Sequence, residues 1–160
     1  MPQPNELRAV LKAIRRIARA VDLHSRRIDR DIGLTLPQLV VLTCVRDLGE
    51  VTSRAISAEA DLSPATVVGI LDKLEAKGLI QRYRSQVDRR IVHTRLTASG
   101  QAMLAAAPPP LGAAFERAFN RRPAAERTAT VDALSRLAKL AEADLDEHIS
   151  ELAVDDGIKP

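Results

Sequence analysis

Residues 63–78, SPATVVGILDKLEAKG, constrain this chain more than any other stretch. Ser63 is a good N-cap, because its hydroxyl can accept from the free amides of a first helical turn. Pro64 follows at the first helical position, where a missing N–H costs nothing. Val67, Ile70, Leu71 and Leu74 fall at i, i+3, i+4 and i+7, which gives a helix one apolar face. Gly78 ends it, since glycine enters the left-handed C′ conformation without a Cβ penalty. The opposite face is unlike a solvated one. Pro64, Ala65, Val68 and Gly69 point away from the apolar stripe, with Thr66 at its border, and none is charged. Small side chains let a backbone approach a groove, threonine can bond a base edge, and methyl groups can touch thymine.

The flanking residues extend this unit. Thr52 can cap a short helix through Ala60, with Ile56 facing inward, and Asp61 and Leu62 make a tight turn. Two helices joined so closely form either a plain helical hairpin or a helix-turn-helix, whose second helix enters the major groove. Downstream, Leu79–Arg84 and Ile91–Leu96 alternate apolar and polar residues, as strands do. Between them lies SQVDRR, residues 85–90. Arg82, Arg84, Arg89, Arg90 and Arg95 make the hairpin basic, with Asp88 its one acid. Charge that only protects a sheet edge would mix Lys and Glu. An arginine tip suits a narrow minor groove, where negative potential attracts guanidinium.

These residues carry a resemblance. DRRIVHTRLTASG, residues 88–100, resembles the wing signature of the MarR family of bacterial winged helix-turn-helix regulators. The matching positions are Asp88, Arg90, Leu96, Thr97 and Gly100, the glycine closing the next turn. LDKLEAKGLIQR, residues 71–82, is similar to the family's recognition-helix exit. The resemblance implies a mainly α fold, an α+β winged helix: a six-helix subunit with a two- to three-stranded wing, dimeric. It implies a single domain over 1–160, with a DNA-binding lobe at 34–97. Residues 6–32 and 98–152 would form a helical dimerisation lobe, and 153–160 a disordered tail.

The rest of the chain fits that frame. At 160 residues it is the size of one domain, and 46% hydrophobic with 28% charged residues is a globular composition. A net charge of +3 permits nucleic-acid binding. No apolar run approaches membrane-span length, and MPQPNELR is not a signal-peptide start. One cysteine excludes an internal disulfide, and a reducing cytoplasm is the expected compartment. Residues 1–5 are expected to be loose. A first helix is expected from Glu6 to about Arg30, with Leu7, Val10, Leu11, Ile14, Ile17, Ala18, Val21 and Ile28 as its apolar stripe. Its many arginines read as a solvated basic face. Gly33 ends it. Thr35-Leu36-Pro37-Gln38 is a capping box for a helix running to about Leu48, closed by Gly49. Thr97 caps a further helix, which Pro108-Pro109-Pro110 must break, with helix resuming near Leu111. That break departs from the long helix usual in the family. Phe115 and Phe119 read as core or dimer packing. A last helix from Pro123 to about Leu152 ends in acids, which in a family-type dimer would face the basic first helix of the partner.

The expected roles follow. Ser63, Ala65, Thr66, Val68 and Gly69 face base edges, and Pro64 sets the helix start. Thr52 and Arg54 stand where they can touch phosphate. Arg89 and Arg90 form the wing tip, and Asp88 orients a wing arginine. Arg82, Arg84 and Arg95 are open between phosphate contacts and plain surface. The expected partners are double-stranded DNA, a second copy of the chain and a small-molecule effector in the cleft between lobes, with no membrane. With one tyrosine, two phenylalanines and no tryptophan, an aromatic-lined effector pocket is poorly supplied.

Two sensing alternatives exist within the same fold. Cys44 could respond to oxidation, though it reads as a small buried hydrophobe without a resolving cysteine. His24 or His148 could join carboxylates in a metal site, though the spacing is scattered. A winged-helix module that binds protein is a further class, predicting no salt-sensitive DNA binding. No nucleophile elbow, glycine-rich phosphate loop or metal constellation marks an enzyme, and no cofactor is required.

Overall fold

The computed structural model describes residues 4–155, with side chains from residue 5 to residue 143. The order of elements is α1 (Pro4–Ile32), α2 (Leu36–Leu48), β1 (Val51–Thr52), α3 (Ser53–Ala60), α4 (Pro64–Ala76), β2 (Ile80–Arg84), β3 (Val92–Leu96), α5 (Ala98–Ala106), α6 (Ala113–Asn120) and α7 (Ala124–Asp155). The fold is mainly α with one small antiparallel sheet. The chain divides into two compact units, one through Ala113 and one from Ala114 onward.

The first unit holds the core. Leu34, Val41, Leu42, Val45, Ile56, Val67, Leu71 and Leu74 are essentially fully buried. Leu34 lies in the turn before α2 and the rest come from α2, α3 and α4, so the three helices share one apolar centre. Burying side chains of this size stabilises the fold by roughly 1.5–3 kcal/mol each. The sheet runs β1-β3-β2, with Val51 opposite Thr94 and Ile80 opposite Leu96. Ile80 is buried and ties the sheet to the core.

The helix boundaries obey the expected end signals. Gly33 adopts φ +67° and its N–H donates to the Asp29 carbonyl at 2.8 Å, so α1 runs two residues past Arg30. The Thr35 box is reciprocal: Gln38 N–H donates to Thr35 Oγ1 at 3.4 Å, and Thr35 N–H to Gln38 Oε1 at 3.1 Å. Asp61 takes the left-handed conformation, φ 53°, between α3 and α4. At the end of α4, Leu79 N–H donates to the Leu74 carbonyl and Gly78 N–H to that of Glu75. This pair of bonds is a Schellman motif, with Leu74 and Leu79 both buried.

The structure differs from expectation at five points. Among the described residues there are seven helices rather than six, because residues 107–112 around the three prolines divide one helix into α5 and α6. Helix resumes at Ala113, two residues later than Leu111. Gly100 closes no turn: it sits in the first turn of α5 and is buried. Phe115 and Phe119 stack at 6.1 Å, yet Phe115 is half exposed and no residue of α6 is buried, so they do not form a core within one chain. Helix α7 continues to Asp155, into the stretch expected as a tail; residues 156–160 lie outside the described residues, as do 1–3.

Candidate nucleic-acid interface

Helix α4 is built from its cap outward. Ser63 Oγ accepts from Thr66 N–H at 3.2 Å and shares a hydrogen bond with Thr66 Oγ1 at 2.7 Å. Sharing consumes one of the two hydroxyl protons, so the Ser63–Thr66 pair keeps one O–H donor to offer outward. The inward face, Val67, Ile70, Leu71 and Leu74, is buried. The outward face, Pro64, Ala65, Thr66, Val68 and Gly69, is exposed. A Cβ at Gly69 would meet nothing within 4 Å. The sequence therefore folds into a helix whose water-facing side carries no charge across its first two turns.

Ahead of it, Thr52 is half-buried and spends its hydroxyl oxygen as the α3 cap, accepting from Ala55 N–H at 3.3 Å. Arg54 is exposed on the first turn of α3 and forms no ion pair among the described residues.

The wing tip is a self-locked turn. Ser85 Oγ accepts from the N–H groups of Val87 and Asp88, and Ser85 N–H donates to the Ile91 carbonyl at 2.9 Å. Asp88 Oδ1 accepts from the backbone N–H of Arg90 at 2.9 Å. Asp88 thus orients Arg90 through its backbone rather than its guanidinium. Arg84 Nη1 donates to the Arg89 carbonyl at 3.0 Å. The turn is fixed through backbone, the short side chains of Ser85 and Asp88, and the Arg84 guanidinium. The guanidinium groups of Arg89 and Arg90 are exposed and unpaired among the described residues.

The other wing arginines have structural work. Arg82 joins β2 to α4: its Nη2 lies 2.5 Å from Glu75 Oε2 and 2.7 Å from Asp72 Oδ1. Its backbone N–H also donates to Glu75 Oε1 at 3.1 Å. These bonds hold the Glu75 carboxyl below its ordinary range and push Arg82 up. Arg95 donates to Gln81 Oε1 at 3.0 Å and lies 5.0 Å over the Tyr83 ring. Sequence reasoning missed Val87, which is 99% exposed at the tip. An apolar side chain in an otherwise polar hairpin turn was the available signal.

The sensing candidates fare differently. Cys44 is buried at 7% exposure, and desolvation pushes its thiol above the ordinary value, with Glu59 and Asp47 adding to the effect. That is the environment of an inert thiol. Among the described residues no group of three or more His, Cys, Asp and Glu could hold a metal ion; the side chain of His148 lies outside them. His24 instead borders a cavity of about 190 Å³, lined also by Arg27, Ile28, Pro108, Pro109 and Gly112. No described helix is long and apolar enough to cross a membrane.

Residues 34–92, from the start of the helical core through the wing turn, match the model of the MarR family. Over that segment the chain is similar to the MarR family. Among curated relatives, it is 36% identical over 74 residues to the HTH-type transcriptional regulator MgrA of Staphylococcus aureus, covering 46% of this chain and 50% of that protein. It is 28% identical over 93 residues to the uncharacterized HTH-type transcriptional regulator YsmB of Bacillus subtilis, covering 58% and 64%. The chain thus spans between half and two thirds of the length of these curated relatives. Solved structures extend the likeness along the chain. Bordetella bronchiseptica BpsR, whose DNA binding is regulated by 6-hydroxynicotinic acid, superposes with a TM-score of 0.65 at 28% identity, covering 86% of this chain and 94% of that one. Rhodococcus jostii CouR, solved with p-coumaroyl-CoA bound, gives a TM-score of 0.65 at 27% identity, covering 79% and 89%. The matched segment contains every residue of the α3 start, the α4 face and the wing tip.

Proposed function

We propose that this protein is a regulator of the MarR type: a sequence-specific DNA-binding transcription regulator, acting as a ligand-responsive repressor on a pseudo-palindromic operator. The uncharged, open outward face of α4 carries the reading. A helix that only met water would gain solubility from charge there; a helix laid into a major groove gains from backbone approach. Ala65, Val68 and Gly69 supply that approach, and the Ser63–Thr66 pair supplies a donor toward base edges. Arg89 and Arg90 reach the flanking minor groove, with Val87 packing against its sugar edges. Thr52 and Arg54 sit beside a phosphate, the arginine giving the charge.

The protein works as a homodimer. Leu7, Val10, Leu11, Ile14 and Ile17 form an apolar stripe on α1, each 36–59% exposed. A contiguous stripe of that kind on a soluble chain calls for a partner surface. A two-fold pair presents two α4 helices to successive major grooves, about 34 Å apart. The effector is a small anion: the hollow beside the proline loop offers His24 and Arg27 but no phenyl or indole ring.

Selection from random duplexes tests the reading. Recovered sites should carry inverted half-sites centred about one helical turn apart. Enrichment of single asymmetric motifs, or no enrichment at all, would overturn it.

A further inference from the structure

The hairpin is weakly supported where it matters most. In the sheet order β1-β3-β2, β2 is an edge strand. Ile80, Arg82 and Arg84 alternate onto one face, opposite Leu96, Thr94 and Val92. Ile80 and Thr94 are buried, so that face looks toward the core. β1 pairs only with Thr94 and His93, and from there to the tip the hairpin continues as two strands.

Arg82 ties this hairpin to α4. Glu75 Oε1 accepts the Arg82 backbone N–H at 3.1 Å, and Oε2 accepts its Nε–H at 2.9 Å. Nη2 reaches Asp72 Oδ1 at 2.7 Å. Bonding the backbone N–H fixes the strand itself and not only a flexible side chain. Among the described residues, every hydrogen bond and ion pair between α4 and residues 80–96 runs through Arg82. Arg84, the next residue on that face, instead donates to the Arg89 carbonyl inside the tip. Arg84 shapes the tip and Arg82 fixes its base. The tip starts at Ser85, about 10 Å beyond Arg82. A tilt of about 10° at Arg82 would displace it by about 2 Å, more than a hydrogen bond tolerates.

We propose that Arg82 is a positioning residue for DNA binding, which holds the wing and α4 as one rigid reading surface without touching DNA. This rests on the DNA-binding reading above and adds what keeps its two parts in register. A direct phosphate contact fits the geometry poorly. The Arg82 side chain is only 28% exposed, and with Asp72 and Glu75 it forms a trio of net charge −1, which repels phosphate. The cations left for DNA are those of the tip, Arg89 and Arg90, and their placement relative to α4 depends on the Arg82 clasp.

Anisotropy of a duplex recovered by selection, well below every variant's unfolding midpoint, tests this. Arg82→Ala should weaken binding at least about fivefold in the wild-type background. In the Arg89→Ala, Arg90→Ala background it should change binding less than about twofold, because no wing contact is left to position. Equal factors in the two backgrounds overturn the proposal, since a direct contact or a general loss of structure would give them. Glu75→Ala removes an acid, so charge alone would strengthen binding, whereas loss of position should weaken it; strengthened or unchanged binding overturns the proposal. This variant also stands in for Arg82→Ala in both backgrounds should the latter fail to fold. Spin labels at Ala76→Cys and Val87→Cys give a readout that needs no DNA. Their distance distribution should be narrow and should broaden with Arg82→Ala. An unchanged distribution overturns the proposal alone, while a wild type that binds no duplex removes the DNA reading and this proposal with it.

Discussion

Gly100 lies directly against the carbonyl of Leu79: a Cβ at position 100 would sit 2.0 Å from that oxygen. The same oxygen accepts from Thr97 N–H at 3.1 Å, and Thr97 Oγ1 donates to the Gly78 carbonyl at 2.6 Å while accepting from Gly100 N–H. The end of α4, the start of β2 and the first turn of α5 are therefore joined at one point. Gly100→Ala cannot be absorbed by a flexible side chain, because the obstacle is backbone. It should destabilise the protein by about 1–3 kcal/mol, the usual cost of overpacking. Urea unfolding reads this as a lower midpoint; an unchanged midpoint would show that the joint yields freely.

Gly69 is the counter-case. It has an ordinary helical φ and open space where a Cβ would go. Gly69→Ala should raise stability by up to about 1 kcal/mol, because glycine inside a helix is costly. The same methyl stands on the face assigned to DNA, so operator affinity should fall while stability rises. Parallel melting and binding measurements on this one variant check it. Affinity that rises with stability would remove α4 from the groove.

The Glu75–Arg82 pair gives stability a pH dependence of known sign. Arg82 holds the folded Glu75 carboxyl below its unfolded value near 4.5. Its contribution is complete above that value and is lost as pH falls through the depressed folded value. Glu75 remains over a third exposed, so screening keeps the effect below about 1 kcal/mol. Thermal melts of wild type and Glu75→Gln should differ at neutral pH and converge in acid. A gap that persists at low pH would mean that the pair is not the source.

Cys44 should behave as packing. Burial raises its thiol, so little thiolate exists at neutral pH. A thiol reagent should modify the native protein at least about tenfold more slowly than the urea-unfolded chain, and mild peroxide should leave DNA affinity unchanged. Fast native labelling would reopen the redox alternative.

How much of this could be read beforehand depended on range. The caps at Ser63, Thr52, Thr35 and Thr97, and the left-handed glycines at 33, 49 and 78, are local chemistry, and their positions are where the sequence puts them. The proline break was legible for the same reason. The role of Gly100 is not legible locally, because its reason is a carbonyl twenty-one residues away. The sequence leaves Arg82 open between DNA and surface, because its acidic partners sit on the preceding helix and only the hairpin's register brings it to them. Lys77, whose Nζ donates to the Gly33 carbonyl at 2.5 Å, had no local signal at all. The α4 face was legible because exposure follows from helical spacing, and the residues between the apolar positions are exposed as that spacing requires.

On the proposed reading, Arg89 and Arg90, held out by a locked turn, engage duplex DNA beside α4. Fluorescence anisotropy of a labelled operator, titrated at several salt concentrations, measures it directly. Affinity should fall steeply and log-linearly with salt as counterions are released. Arg89→Ala with Arg90→Ala should weaken binding at low salt and flatten the slope by about 1 per lost phosphate contact. Identical affinity and slope in the variant, or no salt-dependent binding by the wild type, would contradict it.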